Sequence, residues 1–404
     1  MHRRLVSPDM QTLAPRLPST DAAARADEAP PRVVHVITSL EEGGAQSMLV
    51  KLLESSQEAC GCARVVTLTD GGGVAARLAA LGVPVVSLGL RRGRPSARAV
   101  VRLVQLLRRE RPALVQTWLY HADLLGGIAA ALVRIPVVWG IRHDRLGAGD
   151  RPLTRLTRVA CGALSWWVPA RVVCNSEAAR KTHAAAGYAP HKLVVIPNGF
   201  DLRRFRPDDA ARAAVRAELG LAADAPVIGL VARFDPHKDH ATFLAAAARV
   251  LEHRPHARFL LCGAGADASN DALARLLEAA GVRAHVSLLG VRPDVERVFA
   301  ALDVACLTSS TESFPNVLGE AMACGVPCVA TDCGDVREIL GGLGRVVAVG
   351  DPAAVAEGIL DLLRLPRDER EGLAGASRAR VEEMFGLDVV TRQFAEVQRA
   401  AALR

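Results

Sequence analysis

The sequence predicts an α/β protein of two domains, each a parallel sheet with helices on both faces, meeting across a cleft. Three observations predict it. Short, almost continuously apolar runs alternate with helical segments, the pattern of strands buried on both faces. The alternation runs through twice, with a turn-rich pause between. The 404 residues suffice for two such domains at roughly 150 residues each.

In the first half, Arg32 to Thr38 reads as a strand, and Gly43-Gly44 turns the chain into a helix from Ala45 to about Ser55. Val65 to Leu68 is the second strand, followed by Gly71-Gly72-Gly73 and a helix ending near Gly82. Val83 to Leu88, Leu114 to Thr117, Val137 to Ile141 and Arg171 to Cys174 supply further strands. A basic amphipathic helix spans about Ser96 to Arg109, and another helix runs from Asp123 to Val133. The pause falls at Ile196-Pro-Asn-Gly-Phe-Asp201 and continues to Asp209, a stretch of turn-forming residues that reads as a linker. Alternation resumes with strands at Val227 to Val231, Arg258 to Cys262, Val286 to Leu289, Val304 to Leu307, Cys328 to Thr331 and Val346-Val347, and a helix from Ala241 to Glu252. Each half therefore reads as a Rossmann-like domain, and ligands of such sheets bind at the carboxyl ends of the strands.

Composition narrows the classes further. Half of the residues are apolar and 23% are charged, which excludes collagen, a coiled coil and a wholly disordered chain. The longest apolar stretch, Leu124 to Ile141, is broken by Arg134 and Pro136 and reads as a buried helix and strand. Residues 1–30 read as a disordered leader. They lack a signal-peptide core, because Asp9, Pro15, Arg16 and Asp21 interrupt. The nine cysteines lack zinc-site spacing and read as reduced thiols of a cytoplasmic protein. A net charge of +7, carried almost wholly by arginine, permits anionic partners. No nucleic-acid-binding motif is present, and nucleic acid is not expected as a partner.

The most informative segment is Ser309 to Pro327. It follows a buried strand, Pro315 suits a first helical position, and the helix runs through Met322 to stop near Gly325. Free amides at such a helix start suit a phosphate. Glu312 precedes the helix and Glu320 lies within it, and paired carboxylate acceptors suit sugar or ribose hydroxyls. Arg233 and Lys238 share another strand-to-helix loop, where two cations can neutralise a departing diphosphate. Gly43-Gly44 and Gly263-Ala-Gly265 allow either a ligand or a neighbouring backbone to approach closely. His143, after the strand ending at Ile141, and His121 could each hydrogen-bond a sugar or shuttle a proton. The cluster Arg91, Arg92, Arg94, Arg98, Arg102, Arg108, Arg109 and Arg111, with Trp166-Trp167 after Arg151, Arg155 and Arg158, leaves two readings open. One is contact with anionic lipid. The other is a solvated basic face beside a buried tryptophan pair.

Glu312-Ser-Phe-Pro-Asn-Val-Leu-Gly-Glu-Ala-Met-Ala-Cys-Gly-Val-Pro resembles the E-x7-E segment of retaining glycosyltransferases of family 4, which have the GT-B fold. The Arg233–Lys238 loop, the Gly43-Gly44-Ala45 turn and the Ile196–Asp201 hinge are similar to that family's as well. The resemblance spans residues 32 to about 400. It implies a leader at 1–30, an N-terminal acceptor domain at 31–197, a hinge at 198–209, a donor-binding domain at 210–385, and a helix at 386–404 that crosses back onto the N-terminal domain. It further implies a nucleotide-diphosphate sugar as donor and neither cofactor nor metal, while the basic, tryptophan-bearing N-terminal half suggests a glycan or lipid-linked acceptor and peripheral contact with an anionic membrane. By the resemblance, Arg233 and Lys238 hold the diphosphate, Glu320 the ribose and Glu312 the sugar, with His143 beside the transferred group. Those four residues other than Glu320 form the expected catalytic set. Gly43, Gly44, Gly263, Phe314, Pro315, Asn316 and Glu320, with Arg233 and Lys238, form the expected donor-binding set. Ser313 stands where the motif often has glycine, and Gln46 where an acidic residue is frequent. An epimerase or a phosphorylase on the same scaffold, or a non-catalytic nucleotide-sugar-binding protein, are the competing readings.

Overall fold

A computed structural model of the chain describes residues 31–55, 61–91, 96–143 and 152–403. The expected leader, Cys60, Arg92, Arg94 and Arg151 lie outside them.

The N-terminal lobe is a parallel sheet of β1 (Val33–Ile37), β2 (Ala63–Thr67), β3 (Val85–Ser87), β4 (Leu114–Trp118), β5 (Val137–Ile141), β6 (Arg171–Cys174) and β7 (Leu193–Val195). Their order across the sheet is β3-β2-β1-β4-β5-β6-β7. The C-terminal lobe is a parallel sheet of β8 (Val227–Val231), β9 (Arg258–Cys262), β10 (Val286–Leu288), β11 (Val304–Leu307), β12 (Cys328–Thr331) and β13 (Gly344–Val347). Their order is β10-β9-β8-β11-β12-β13. β1, β4, β5, β11 and β12 are buried along their whole length, as expected of strands sandwiched between helices. In each sheet the order reverses once, between β1 and β4 and between β8 and β11. The crevice at such a reversal is where open parallel sheets bind ligands.

The chain crosses between the lobes twice, and the two crossings are tied together. Phe200 donates its N–H to Phe385 O at 2.9 Å, and Leu387 N–H donates to Phe200 O at 3.0 Å. After the first crossing, helix Asp209–Glu218 is pinned to the C-terminal lobe by Asp303. That carboxylate receives Arg212 Nη2 at 2.6 Å, Arg216 Nη2 at 2.7 Å and Val227 N at 2.8 Å. After the second crossing, helix Leu387–Ala402 returns to the N-terminal lobe. Val390, Phe394, Val397 and Ala401 join that lobe's core, and the Phe394 ring stacks 5.9 Å from Trp118.

Two details differ from the sequence reading. Pro315 does not occupy the first helical position. It is extended (φ −72°, ψ 100°) and caps helix Asn316–Ala323, where its missing N–H costs nothing. Trp166 and Trp167 are not a buried pair: they are 48% and 78% exposed, because the turn after helix Pro152–Leu164 carries them to the surface. Among the described residues, no helix is long and apolar enough to cross a membrane.

Candidate functional site

The loops that follow β8 and β11 flank the C-terminal lobe's switch point, and they carry Arg233, Lys238 and Glu312. The first loop is a turn at Pro236–Lys238 capped by Asp235. Asp239 then adopts a left-handed conformation (φ 48°), and its carboxylate receives Thr242 N at 3.1 Å and Thr242 Oγ1 at 2.6 Å, starting helix His240–His253. The second loop is laced to the first. Thr308 Oγ1 contacts Lys238 O and Asp239 O, both at 3.0 Å, and Ser310 N donates to His237 O at 2.8 Å. Strand ends that diverge in sequence are thus held as one surface.

On that surface Lys238 Nζ forms a salt bridge with Glu312 Oε1, and Ser309 Oγ donates to the same oxygen at 2.7 Å. Lys238 is therefore a positioned cation already neutralised by a neighbouring carboxylate. Arg233 shares the loop, but its largely exposed guanidinium pairs with Asp235 at 3.1 Å. Both cations are held in place by acids of their own lobe. An incoming dianion would compete for them or share them.

Glu320 lies one helix further in. Burial raises the pKa of its carboxyl, and the ammonium of Lys51 opposes that rise. Lys51 comes from helix Gly44–Glu54 of the other lobe. Burial in turn lowers its pKa against the pull of Glu320, and it donates to Gly199 O in the hinge at 3.1 Å. The sequence showed Lys51 only as one of few lysines. Its placement beside Glu320 depends on how the lobes meet.

The other members of the expected donor-binding set divide. Asn316 faces the cleft, and its Oδ1 accepts Asn198 Nδ2 of the hinge at 2.8 Å. Phe314 is core: its ring packs 6.2 Å from Phe200 and 5.6 Å from Phe385. Gly319 lets this aromatic cluster form, since a Cβ there would lie 2.2 Å from the Phe200 ring. Gly263 (φ +144°) is explained by packing. A Cβ would lie 2.3 Å from Ala232 O, and its N–H is spent on Gly290 O at 2.7 Å. That close approach sets the backbone at Arg233.

In the N-terminal lobe, Gly43 is extended and Gly44 begins a helix, so neither needs a glycine conformation. A Cβ on Gly43 would meet Gln46 Oε1 at 2.7 Å, while the space over Gly44 is open. Gln46, buried, donates to Ser39 O at 2.9 Å and ties the loop after β1. Leu119, just after β4, holds φ 75° and ψ 152°, a region used almost only by glycine. His143 follows β5 and is exposed, with its ring 6.3 Å from that of Tyr120. His121 is half-buried, and desolvation lowers its pKa.

The lobes also touch directly. Ser313 Oγ donates to Asn175 Oδ1 at 2.9 Å and lies 2.8 Å from Ser176 Oγ. Asp335 receives Glu177 N at 2.6 Å and Ala178 N at 2.8 Å. β5 and β6 are neighbours, so His143 sits one strand from the place where the Glu312 loop meets the N-terminal lobe. Sequence reading gave no hint of Asp335 or Asn175, which act across more than a hundred residues of chain.

Two parallel α/β lobes, tied by a double crossing and meeting at their switch points, define the GT-B architecture. Residues 42–204 match the family model Glycosyltransferase Family 4, and residues 225–365 match Glycosyl transferases group 1. The chain belongs to the family 4 type of GT-B glycosyltransferases. It is 31% identical over 255 residues to the D-inositol 3-phosphate glycosyltransferases of Mycobacterium tuberculosis and Mycobacterium bovis, covering 62% of this chain and 52% of theirs. The chain thus spans about half the length of the curated relatives it matches. Its fold is similar to that of Anabaena HepE solved with UDP (TM-score 0.82, 24% identity, 91% of this chain and 100% of that one). It is also similar to a glycosyltransferase of Rickettsia africae (TM-score 0.78, 16% identity, 92% and 98%).

Proposed function

We propose that this glycosyltransferase moves a sugar from a nucleotide diphosphate to an acceptor hydroxyl and keeps the anomeric configuration. The observation that carries the reading is the Lys238–Glu312 pair at the switch point of the C-terminal lobe, on a surface that also holds Arg233. HepE, a structure of like fold, was solved with UDP and with UDP-glucose, which supports a nucleotide-sugar donor here. In this reading the bond between the anomeric carbon and the diphosphate oxygen breaks while the acceptor oxygen bonds the same face. The acceptor's proton passes to the departing phosphate oxygen. Arg233, Lys238 and the amides at the start of helix Asn316–Ala323 stabilise the charge gathering on the diphosphate. Glu312 receives sugar hydroxyls, Glu320 the ribose, and His143 approaches the transferred sugar from the N-terminal lobe. No metal is required, because fixed cations take its place. Closure of the lobes excludes water and so suppresses hydrolysis.

The test is incubation of the full chain with labelled UDP-, GDP- and ADP-sugars, with and without acceptor extracts. Acceptor-dependent transfer supports the proposal. Sugar isomerisation without acceptor would make the protein an epimerase, and strict dependence on inorganic phosphate a phosphorylase. Unaltered glycan synthesis in cells carrying Glu312→Ala and Lys238→Ala would leave only a binding role.

The acceptor in this reading is a growing glycan or a lipid-linked sugar at the inner face of an anionic membrane. Three helices that pack side by side, Ala97–Glu110, Tyr120–Leu132 and Pro152–Leu164, expose Val101, Leu132, Leu156 and Val159. Trp167 follows the third helix and is exposed, and Arg98, Arg102, Arg108 and Arg109 are exposed on the first. Exposed apolar side chains and arginines on neighbouring helices suit an anionic bilayer surface. Flotation with vesicles containing phosphatidylglycerol is expected to carry the protein, and Trp167→Ala with Leu156→Ala to reduce the bound fraction severalfold. No flotation of the native protein would remove the membrane from the proposal.

A further inference from the structure

The loop that carries Glu312 is gripped from both lobes. On its own side, a Cβ on Gly334 would lie 2.1 Å from Glu312 O, and Asp335 N donates to Ser313 O at 3.1 Å. Across the cleft, the Ser313 hydroxyl meets Asn175 and Ser176. The Asp335 carboxylate passes over the same seam and receives the first two amides of helix Glu177–Ala185. The third exposed amide of that helix, Ala179 N, is taken by its own cap, Ser176 Oγ, at 2.9 Å. A helix start normally finds its acceptors locally or in water. Here two of the three come from the other lobe. Asn175, Ser176 and Asp335 are buried and Ser313 is half-buried, so most of the seam's polar groups are shielded from solvent. Opening the lobes would expose two helix amides and a carboxylate together, and it would release the Glu312 loop from one of its two anchors.

We infer that Ser313 and Asp335 are positioning residues that latch the closed lobes and set Glu312 against the N-terminal lobe only in that state. The inference rests on the glycosyl-transfer reading for what Glu312 does, but the latch itself is a matter of geometry. It gives a reason for serine at 313, where the motif often has glycine: a glycine there could bond neither Asn175 nor Ser176. Neither residue is assigned a contact with donor. Both act through the Glu312 loop, which Ser313 belongs to and Asp335 N bonds at Ser313 O. Burial pushes the Asp335 carboxyl up to about 6, with the amides of Ala178 and Glu177 pulling it back, as expected of an acid held in the seam by those two donors. A second seam at the hinge, Asn198 to Asn316, and the double crossing involve neither residue, so cutting the latch leaves the lobes joined there.

The test uses the full chain and three variants: Ser313→Ala, Asp335→Asn and Ser313→Thr. Small-angle X-ray scattering without ligand reads lobe separation, calorimetry reads UDP binding, and a turnover assay reads transfer. The latch predicts a larger radius of gyration for Ser313→Ala and Asp335→Asn, and UDP affinity within about twofold of native. Turnover falls roughly tenfold through a lower kcat, as when a reacting group is slightly misplaced. Ser313→Thr, which keeps the hydroxyl, restores both shape and kcat. If Asp335→Asn does not fold, Ser313→Ala and its threonine counterpart decide alone. Unchanged scattering and kcat in folded Ser313→Ala would overturn the inference. So would loss of UDP affinity in step with kcat, which would put these residues in the donor site. Should the native protein bind no nucleotide sugar, the proposed function fails, while scattering still reads the latch independently.

Discussion

Glu312 neutralises Lys238, and this makes an unusual prediction. Replacing Glu312 with Gln removes a negative charge that sits on the cation expected to meet the diphosphate. Both side chains are mostly buried, so the interaction is stronger than a surface ion pair. A charge-assisted hydrogen bond of this kind is worth about 1.5–3 kcal/mol. Partial exposure of the pair trims the share released on substitution to about 1–2 kcal/mol. The substitution also removes repulsion between the carboxylate and the incoming phosphates. UDP should therefore bind Glu312→Gln about 5- to 30-fold more tightly than the native protein, while sugar transfer falls, because the acceptor of the sugar hydroxyls is weakened. The assay is titration calorimetry with UDP in EDTA at fixed salt, paired with turnover. Lys238→Ala is the control and should lose UDP affinity by a comparable factor. Unchanged or weaker UDP binding by a folded Glu312→Gln protein would refute the reasoning. It would mean that Glu312 serves to aim Lys238, and that the phosphates do not compete with the pair.

Two further predictions concern the scaffold. Phe394 is wholly buried against Trp118, and the Arg142 guanidinium lies over both rings, 5.4 Å from that of Phe394 and 4.8 Å from that of Trp118. Phe394→Ala should cost about 3–5 kcal/mol in urea unfolding, and a loss under about 1 kcal/mol would mean that the returning helix is not docked. Asp123 is buried, and that burial raises its carboxyl from 3.8 to about 8, against Thr117, Gly140 and Arg142. A raised acid stabilises the fold below its unfolded pKa, and that contribution is lost as pH climbs to the folded one. Native stability should therefore fall between about pH 4 and about pH 8, by up to about 1.4 kcal/mol per pH unit from this group. Asp123→Asn should flatten that slope in urea midpoints taken at several pH values. Equal slopes in the two proteins would contradict the assignment.

Much of the architecture was legible from local pattern. β5, β6, β8, β9, β11 and β12 fall on the residues that the apolar runs mark, because parallel strands buried on both faces leave no polar alternation to blur their ends. β7 escaped notice. It is a three-residue edge strand, only partly buried, and Pro197 cuts it short, so nothing distinguishes it from the linker that follows. The helix Glu177–Ala185 was missed for a related reason: its short, mostly polar sequence buries only Ala179 and His183. At the site, the strand-to-loop placement of Lys238 and Glu312 was readable, but their mutual pairing was not. The same holds for Lys51 beside Glu320 and for Asp335 on helix Glu177–Ala185. These contacts join residues 74 to 158 or more positions apart, and only the docking of two lobes decides them. Gly263 and Phe314, members of the expected donor-binding set, also have packing roles that the motif did not show: a close backbone approach at Gly263 and an aromatic core cluster around Phe314.

The central claim is that fixed cations of the C-terminal lobe hold a sugar nucleotide without a divalent ion. The most direct measurement is calorimetric titration of the full chain with UDP-, GDP- and ADP-sugars in excess EDTA, beside the double variant Arg233→Ala with Lys238→Ala. The account predicts saturable binding of one donor class by the native protein and its loss from the folded double variant. Binding that appears only when a divalent metal is restored, or that survives in the double variant, would contradict it.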